Sequence, residues 1–93
     1  VRGDLPLGVQ AAQIAHAAGE SGPALPGTYV VVLTIKDEDA LRRLSQRLTH
    51  IPHVLITEPD LGDQAVALGA LVANRKEIRK LTSSLPLFGK PRV

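Results

Sequence analysis

From Gly8 to Ala18 the apolar residues Val9, Ala11, Ala12, Ile14, Ala15 and Ala18 crowd into one segment. Alanine carries the smallest entropic cost of helix formation, so this segment predicts a helix. His16 is its one ionisable group, and a helix so uniformly bland predicts burial on more than one face. The run from Thr28 to Ile35 is β-branched and almost continuously apolar. It predicts a central strand covered on both faces, with Val30 to Leu33 at its middle. Asp37, Glu38 and Asp39 then supply an N-cap and an acidic first turn. Leu41, Leu44 and Leu48 recur at helical spacing with Arg42, Arg43 and Arg47 outside, which predicts an amphipathic surface helix. His53 to Thr57 reads as a short strand, Glu58 to Asp63 as a polar turn, and Gln64 to Val72 as a strand returning antiparallel to it. Gly69 marks a bulge or a close backbone approach. Asn74 and Glu77, three apart, resemble a capping box that opens a helix to about Ser83. Ser84 to Phe88 follows as an extended tail able to dock apolar side chains, and Val1 to Asp4 reads as a strand stub before the Leu5–Gly8 turn.

Strands that alternate with helices predict right-handed crossovers and a mainly parallel sheet with helices on both faces, which the final hairpin makes mixed. The expected fold is therefore α/β, a three-layer α/β/α sandwich. A chain of 93 residues holds one such domain, residues 1–93, and excludes a two-domain enzyme. With 44% apolar and 22% charged residues the chain can bury a core. Tyr29 and Phe88 are the only aromatics, so stacking platforms for bases are scarce. The absence of cysteine excludes a disulfide scaffold, thiol catalysis and Cys-based metal sites. No apolar run approaches the roughly 20 residues of a membrane span, and no signal-peptide pattern opens the chain. A soluble, cytoplasmic protein without membrane partners is expected. Methionine is absent even at position 1, so residues are expected to precede Val1 and lengthen its strand.

Net charge is +2, but past Asn74 six cations (Arg75, Lys76, Arg79, Lys80, Lys90 and Arg92) face the single acid Glu77. A basic end of this kind can follow a phosphate backbone, or serve as solvated surface. The histidines do not form a metal set, because His50 and His53 flank Pro52 at a helix-to-strand junction and His16 is remote in sequence. No metal and no cofactor is expected. Two polar clusters are more informative. Arg2, Asp4, Gln13 and His16 surround the opening turn and helix, with Gln13 and His16 on nearly one helix face. Such a pair either satisfies buried partners or lines a cleft. Glu58, Asp60, Asp63 and Gln64 follow a strand's C-terminal end, where open α/β sheets bind ligands and where ordinary acidic turns also occur.

The opening Val1-Arg2-Gly3-Asp4-Leu5, Gly8 and Ala11-Ala12-Gln13-Ile14-Ala15-His16-Ala17 resembles the signature of type II peptidyl-tRNA hydrolases. The apolar run at Tyr29 to Ile35, the helix start at Lys36 to Ala40, Glu58-Pro59-Asp60, Gln64 and Leu85-Pro86-Leu87-Phe88 continue the resemblance in the family's order. The shortened Pro6-Leu7-Gly8 turn and the Glu58-Pro59-Asp60 loop are most similar to the family's divergent, peptidyl-tRNA hydrolase domain-containing branch. The resemblance implies a four-stranded mixed sheet sandwiched by helices, and hydrolysis of the ester joining a peptide to the 3′-terminal ribose of tRNA. Family members commonly dimerise, so a homodimer joins tRNA among the expected partners. Asp60 or Asp63 would position or deprotonate water, His16 is the alternative base, and Gln13 with the backbone N–H groups near Gly8 would stabilise developing negative charge. Arg2, Asp4, Gly8 and Gln64 carry over as substrate-binding residues, and Lys76 and Lys80 would meet tRNA phosphates. Val9 stands where the family carries a Lys, so Arg2 or a C-terminal Lys would supply that charge. The alternative is a catalytically inactive member that binds RNA or protein.

Overall fold

The computed structural model describes residues 1–23, 26, 30–72 and 76–89. Thr28 and Tyr29 of the apolar run, the capping residue Asn74, and the cations Arg75, Lys90 and Arg92 lie outside the described residues. Helix α1 (Leu7–Glu20) forms where the alanines predict it. Its buried row is Gln10, Gln13 and Ala17, three and four apart, while Ala11, Ala12, Ala15 and Ala18 are exposed. Burial on more than one face is thus corrected to burial of one stripe. Alanine sustains the exposed face unaided, because its methyl side chain loses no rotamer freedom in a helix.

Helix α2 (Glu38–Arg47) begins as its sequence dictates, with the Asp37 carboxylate accepting the Ala40 N–H at 2.9 Å. Leu41 and Leu48 are each 1% exposed, Leu44 is half-buried, and Arg42, Arg43 and Arg47 face water. Strands β1 (Val54–Glu58) and β2 (Gln64–Gly69) pair antiparallel across a 3-10 turn at Pro59–Leu61. Their register runs from Val54 opposite Gly69 to Ile56 opposite Ala67, skips Val66, and ends with Glu58 opposite Gln64. A short helix α3 (Lys76–Thr82) and a tail to Gly89 complete the described chain.

The expected four-stranded mixed sheet, and with it the three-layer sandwich, is not what the chain forms. Among the described residues the sheet has two strands, β1 and β2. The stub and the apolar run contribute only isolated bridges, Arg2 to Ile35 in parallel and Leu33 to Leu87 in antiparallel sense. Partner length explains the difference. The run divides its backbone between two short neighbours: Ile35 N–H donates to Val1, Gly3 N–H donates to Ile35, Thr34 N–H donates to Pro86 and Phe88 N–H donates to Val32. Pro86 has no N–H to extend its side of the ladder. The run is also not covered on both faces, since Val30 is 72% and Val31 51% exposed and, among its described residues, only Ile35 is buried.

Two small cores flank the hairpin residues. Val66 and Ala67 pack with Ala17 and Ile56, backed by Val1, Leu5 and Val54. Ala65 packs with Ile35 and Leu41, backed by Leu44, Leu55 and Leu85. Leu85 therefore docks as the tail pattern predicts, whereas Leu87 stays half in water. Gly69 is a point of close approach, because a Cβ there would lie 2.5 Å from the Ala17 carbonyl oxygen of α1. Among the described residues no helix is long and apolar enough to cross a membrane.

Candidate functional site

Arg2 is the centre of the polar cluster at the turn end of the hairpin. Its backbone N–H donates to the Val66 carbonyl at 3.2 Å, which carries the side chain under the start of β2. The guanidinium donates from Nε to Asp4 Oδ1 at 2.9 Å and from Nη2 to Asp4 Oδ2 at 2.7 Å. Nη1 donates to Gln64 Oε1 at 2.8 Å and to the Ala65 carbonyl at 3.0 Å. Such a two-pronged pair suits a planar guanidinium and would not survive exchange for Lys. The hydrogen bond from Arg2 holds the Asp4 carboxyl below its ordinary value, and the same bond raises the already high pKa of Arg2. The structure therefore brings Arg2, Asp4 and Gln64 together as expected, with every guanidinium nitrogen engaged.

Gln13 projects from the buried stripe of α1 and donates from Nε2 to Glu58 Oε2 at 3.2 Å. Glu58 stands opposite Gln64 in the hairpin, so the two polar groups that tie α1 and the opening segment to the sheet share one end of it. The Oε1 atom of Gln13 is buried without a hydrogen-bond partner. Gln10, one turn earlier, donates to the Leu5 carbonyl at 2.6 Å and fixes the opening turn onto the helix. Beyond Glu58 the chain turns through Asp60 and Asp63, both exposed. The Asp60 N–H reaches Glu58 Oε1 at 3.4 Å and the Asp63 N–H donates to the Glu58 carbonyl at 3.0 Å. Asp63 has a left-handed φ of 59°, a conformation Asp accepts more readily than most residues.

His16 does not join this group: its Nε2 lies 2.7 Å from Glu20 one turn on, and both side chains are about half exposed. Gly8 sits in the exposed first turn of α1 with open space beside it. Lys76 and Lys80 lie on α3, exposed. Elsewhere, His53 is held by Ser45 Oγ at 2.8 Å and by the Ile51 carbonyl at 2.8 Å, while His50 is exposed. Neither of two shallow cavities is lined by the expected catalytic residues. One, of about 270 Å³, lies among Gly3, Leu7, Gln10 and the tail, and the other, of about 350 Å³, lies between the end of α2 and α3.

Sequence reasoning left one pairing and one contributor out of the site. Glu58 belongs with Gln13, a pairing across 45 residues that no local pattern announces. Glu38, assigned only to a helix start, accepts the Ala65 N–H at 2.6 Å and pairs with Arg42 at 3.1 Å. The backbone hydrogen bond from Ala65 holds the Glu38 carboxyl below its ordinary value. No family model, no curated protein and no solved structure matches this chain.

Replacing Arg2 with Met is expected to cost about 2 kcal/mol, because it keeps the apolar stem but leaves the buried Ala65 carbonyl without this donor. The 40% exposure of the Asp4 side chain keeps the ion pair's own share small. Since the carboxyl pKa of Asp4 is depressed in the fold, the stability from this pair is complete above about pH 4 and lost as pH falls below it. Denaturant titrations from pH 7 to pH 2 should show the gap between wild type and Arg2→Met narrowing only in the acid range. A gap that stays constant across that range would remove Asp4 from the account.

Proposed function

We propose that this domain is peptidyl-tRNA hydrolase-like and cleaves the ester between a peptide and the 3′-terminal ribose of tRNA. The observation that supports the reading is the Gln13–Glu58 hydrogen bond, which joins the helix half of the resemblance to its acidic loop across 45 residues. Asp60 and Asp63 sit on the turn that follows Glu58, with carboxylates open to water and free of hydrogen bonds or ion pairs among the described residues. A carboxylate in that state can take a proton from an attacking water. Arg2 acts indirectly, since its donors are spent on Asp4, Gln64 and Ala65, and it positions the hairpin end rather than binding substrate charge.

The test is hydrolysis by the purified protein of peptidyl-tRNA, and separately of a free peptidyl ester, against the spontaneous rate. Turnover of the tRNA-linked ester well above background is expected. A second reading is favoured by the contact of His16 with Glu20 on the exposed face of α1, which engages that imidazole with a carboxylate other than those of the turn. On it the domain binds tRNA without cleaving it, so binding without turnover would replace the hydrolase reading.

A further inference from the structure

We infer that the seam between the C-terminal end of α2 and α3 is a docking surface for an RNA phosphate backbone, bound by Arg43, Arg47 and Lys80. This rests on the reading of a tRNA-linked substrate and adds a surface for the body of the tRNA.

Arg43 and Arg47 are four apart on the exposed face of α2, so their side chains are neighbours. The arginines of α2 invite a purely structural account, in which charges simply solvate the outer face of an amphipathic helix. The structure divides them instead. Arg42 turns back to Glu38 at 3.1 Å, whereas Arg43 and Arg47 have no ion pair among the described residues. Arg47 lines the 350 Å³ cavity together with His50 from the following turn and with Glu77 and Leu81 from α3. The cavity thus sets the basic end of α2 beside the basic helix α3, which carries Lys76, Arg79 and Lys80, all exposed. Apart from Lys76, and with Arg42 held by Glu38, Arg43, Arg47, Arg79 and Lys80 stand against one carboxylate of α3, Glu77, although the whole chain carries only +2. The acids of α2 sit elsewhere, with Glu38 and Asp39 at its opposite end.

Charge of one sign collected along two adjacent helices suits a strand of evenly spaced phosphates, and an acidic peptide would lack that regular spacing. The scarcity of aromatics points the same way, since binding through phosphates needs no base stacking. Affinity should therefore fall steeply with salt and depend little on RNA sequence.

The experiment measures uncharged tRNA binding by fluorescence anisotropy over a salt series, using wild type, Arg43→Ala/Arg47→Ala, Lys80→Ala and Lys36→Ala. Alanine keeps the helical propensity of the exposed helix positions, so folding is preserved. Lys36 stands beyond the N-terminal end of α2, about 15 Å from Arg47 along a helix of this length, and serves as the charge control. The double variant is expected to bind about tenfold or more weakly, with the salt slope reduced by about 0.9 for each phosphate that is no longer neutralised. Lys80→Ala is expected to leave one phosphate unneutralised and Lys36→Ala none. An unchanged slope in the double variant, an equal weakening in Lys36→Ala, or no tRNA binding by wild type overturns the seam. If wild type hydrolyses peptidyl-tRNA with a KM unmoved by the double substitution, the seam falls and the hydrolase reading stands. If wild type binds with the expected slopes but does not hydrolyse, the reverse holds.

Discussion

Asp60→Asn is expected to lower peptidyl-tRNA hydrolysis by about 10² to 10⁴-fold, the range a positioned general base supplies. Asp60 is favoured over Asp63 by its place on the turn: it lies two residues beyond Glu58, with its N–H directed at the carboxylate that Gln13 also holds. Asp63 instead occupies a left-handed position after Gly62, where its N–H closes the turn onto the Glu58 carbonyl. Alanine at that φ would add backbone strain to any catalytic effect, so the informative variant is Asp63→Asn, which keeps the conformation and removes the charge. It is expected to lower the rate by about tenfold or less. His16→Ala should cost less than Asp60→Asn, because the imidazole is already engaged with Glu20 on the exposed face of α1. Rates measured as kcat/KM across pH, with each variant's melting curve alongside, separate chemistry from folding. Equal and small losses in both Asn variants would mean that neither carboxylate is the base, and a dominant loss in His16→Ala would transfer that role to the imidazole.

What is legible in the sequence is local. Asp37 caps α2 with its own side chain, and Leu41 and Leu48 bury because helical spacing puts them on one stripe. The hairpin is readable because Pro59, Gly62 and Asp63 specify a turn within a few residues, Gly62 and Asp63 through their left-handed backbone. The apolar run ending at Ile35 fails as a central strand for a non-local reason. A strand needs a partner of matching length, and its neighbours are the stub at Val1 to Gly3 and a tail interrupted by Pro86. Nothing inside the run reports the length of what will lie beside it.

The candidate site divides along the same line. Arg2 and Asp4 are two residues apart and their pairing follows from proximity, but the third partner, Gln64, is 62 residues away. Gln13 is visible as a polar residue on a bland helix, and of its two readings, satisfying a buried partner or lining a cleft, the structure supports the first in part: Nε2 donates to Glu58, Oε1 is buried without a partner, and neither described cavity is lined by Gln13. Helical spacing groups His16 with Gln13, yet Glu20, one turn further on, offers a nearer carboxylate on the exposed side. Spacing along a helix sets which side chains share a face, and competition among their neighbours decides which way each turns.

Gly69→Ala is expected to destabilise the fold by about 1–3 kcal/mol, the cost of forcing an extra carbon into a packed region. For a domain of this size that corresponds to a fall in Tm on the order of 10 °C. The added Cβ would meet two obstacles: the Ser21 hydroxyl, and the Ala17 carbonyl oxygen 2.5 Å away. The hydroxyl can rotate, at the expense of its own 2.6 Å hydrogen bond to that same carbonyl. The carbonyl cannot, because it also accepts the Ser21 N–H that closes the last turn of α1. Relief therefore requires α1 to move off β2 as a body, which opens the core where Ala17 meets Val66 and Ala67. Combining Ser21→Ala with Gly69→Ala removes the first obstacle and leaves the second, so it should restore only part of the stability. Gly69→Val adds two methyl groups at the same point and should cost more than the single carbon. Thermal unfolding of the four proteins, wild type included, tests the order. A Gly69→Ala protein as stable as wild type, or one fully restored by Ser21→Ala, would show that the backbone of α1 does not press on β2 at this point.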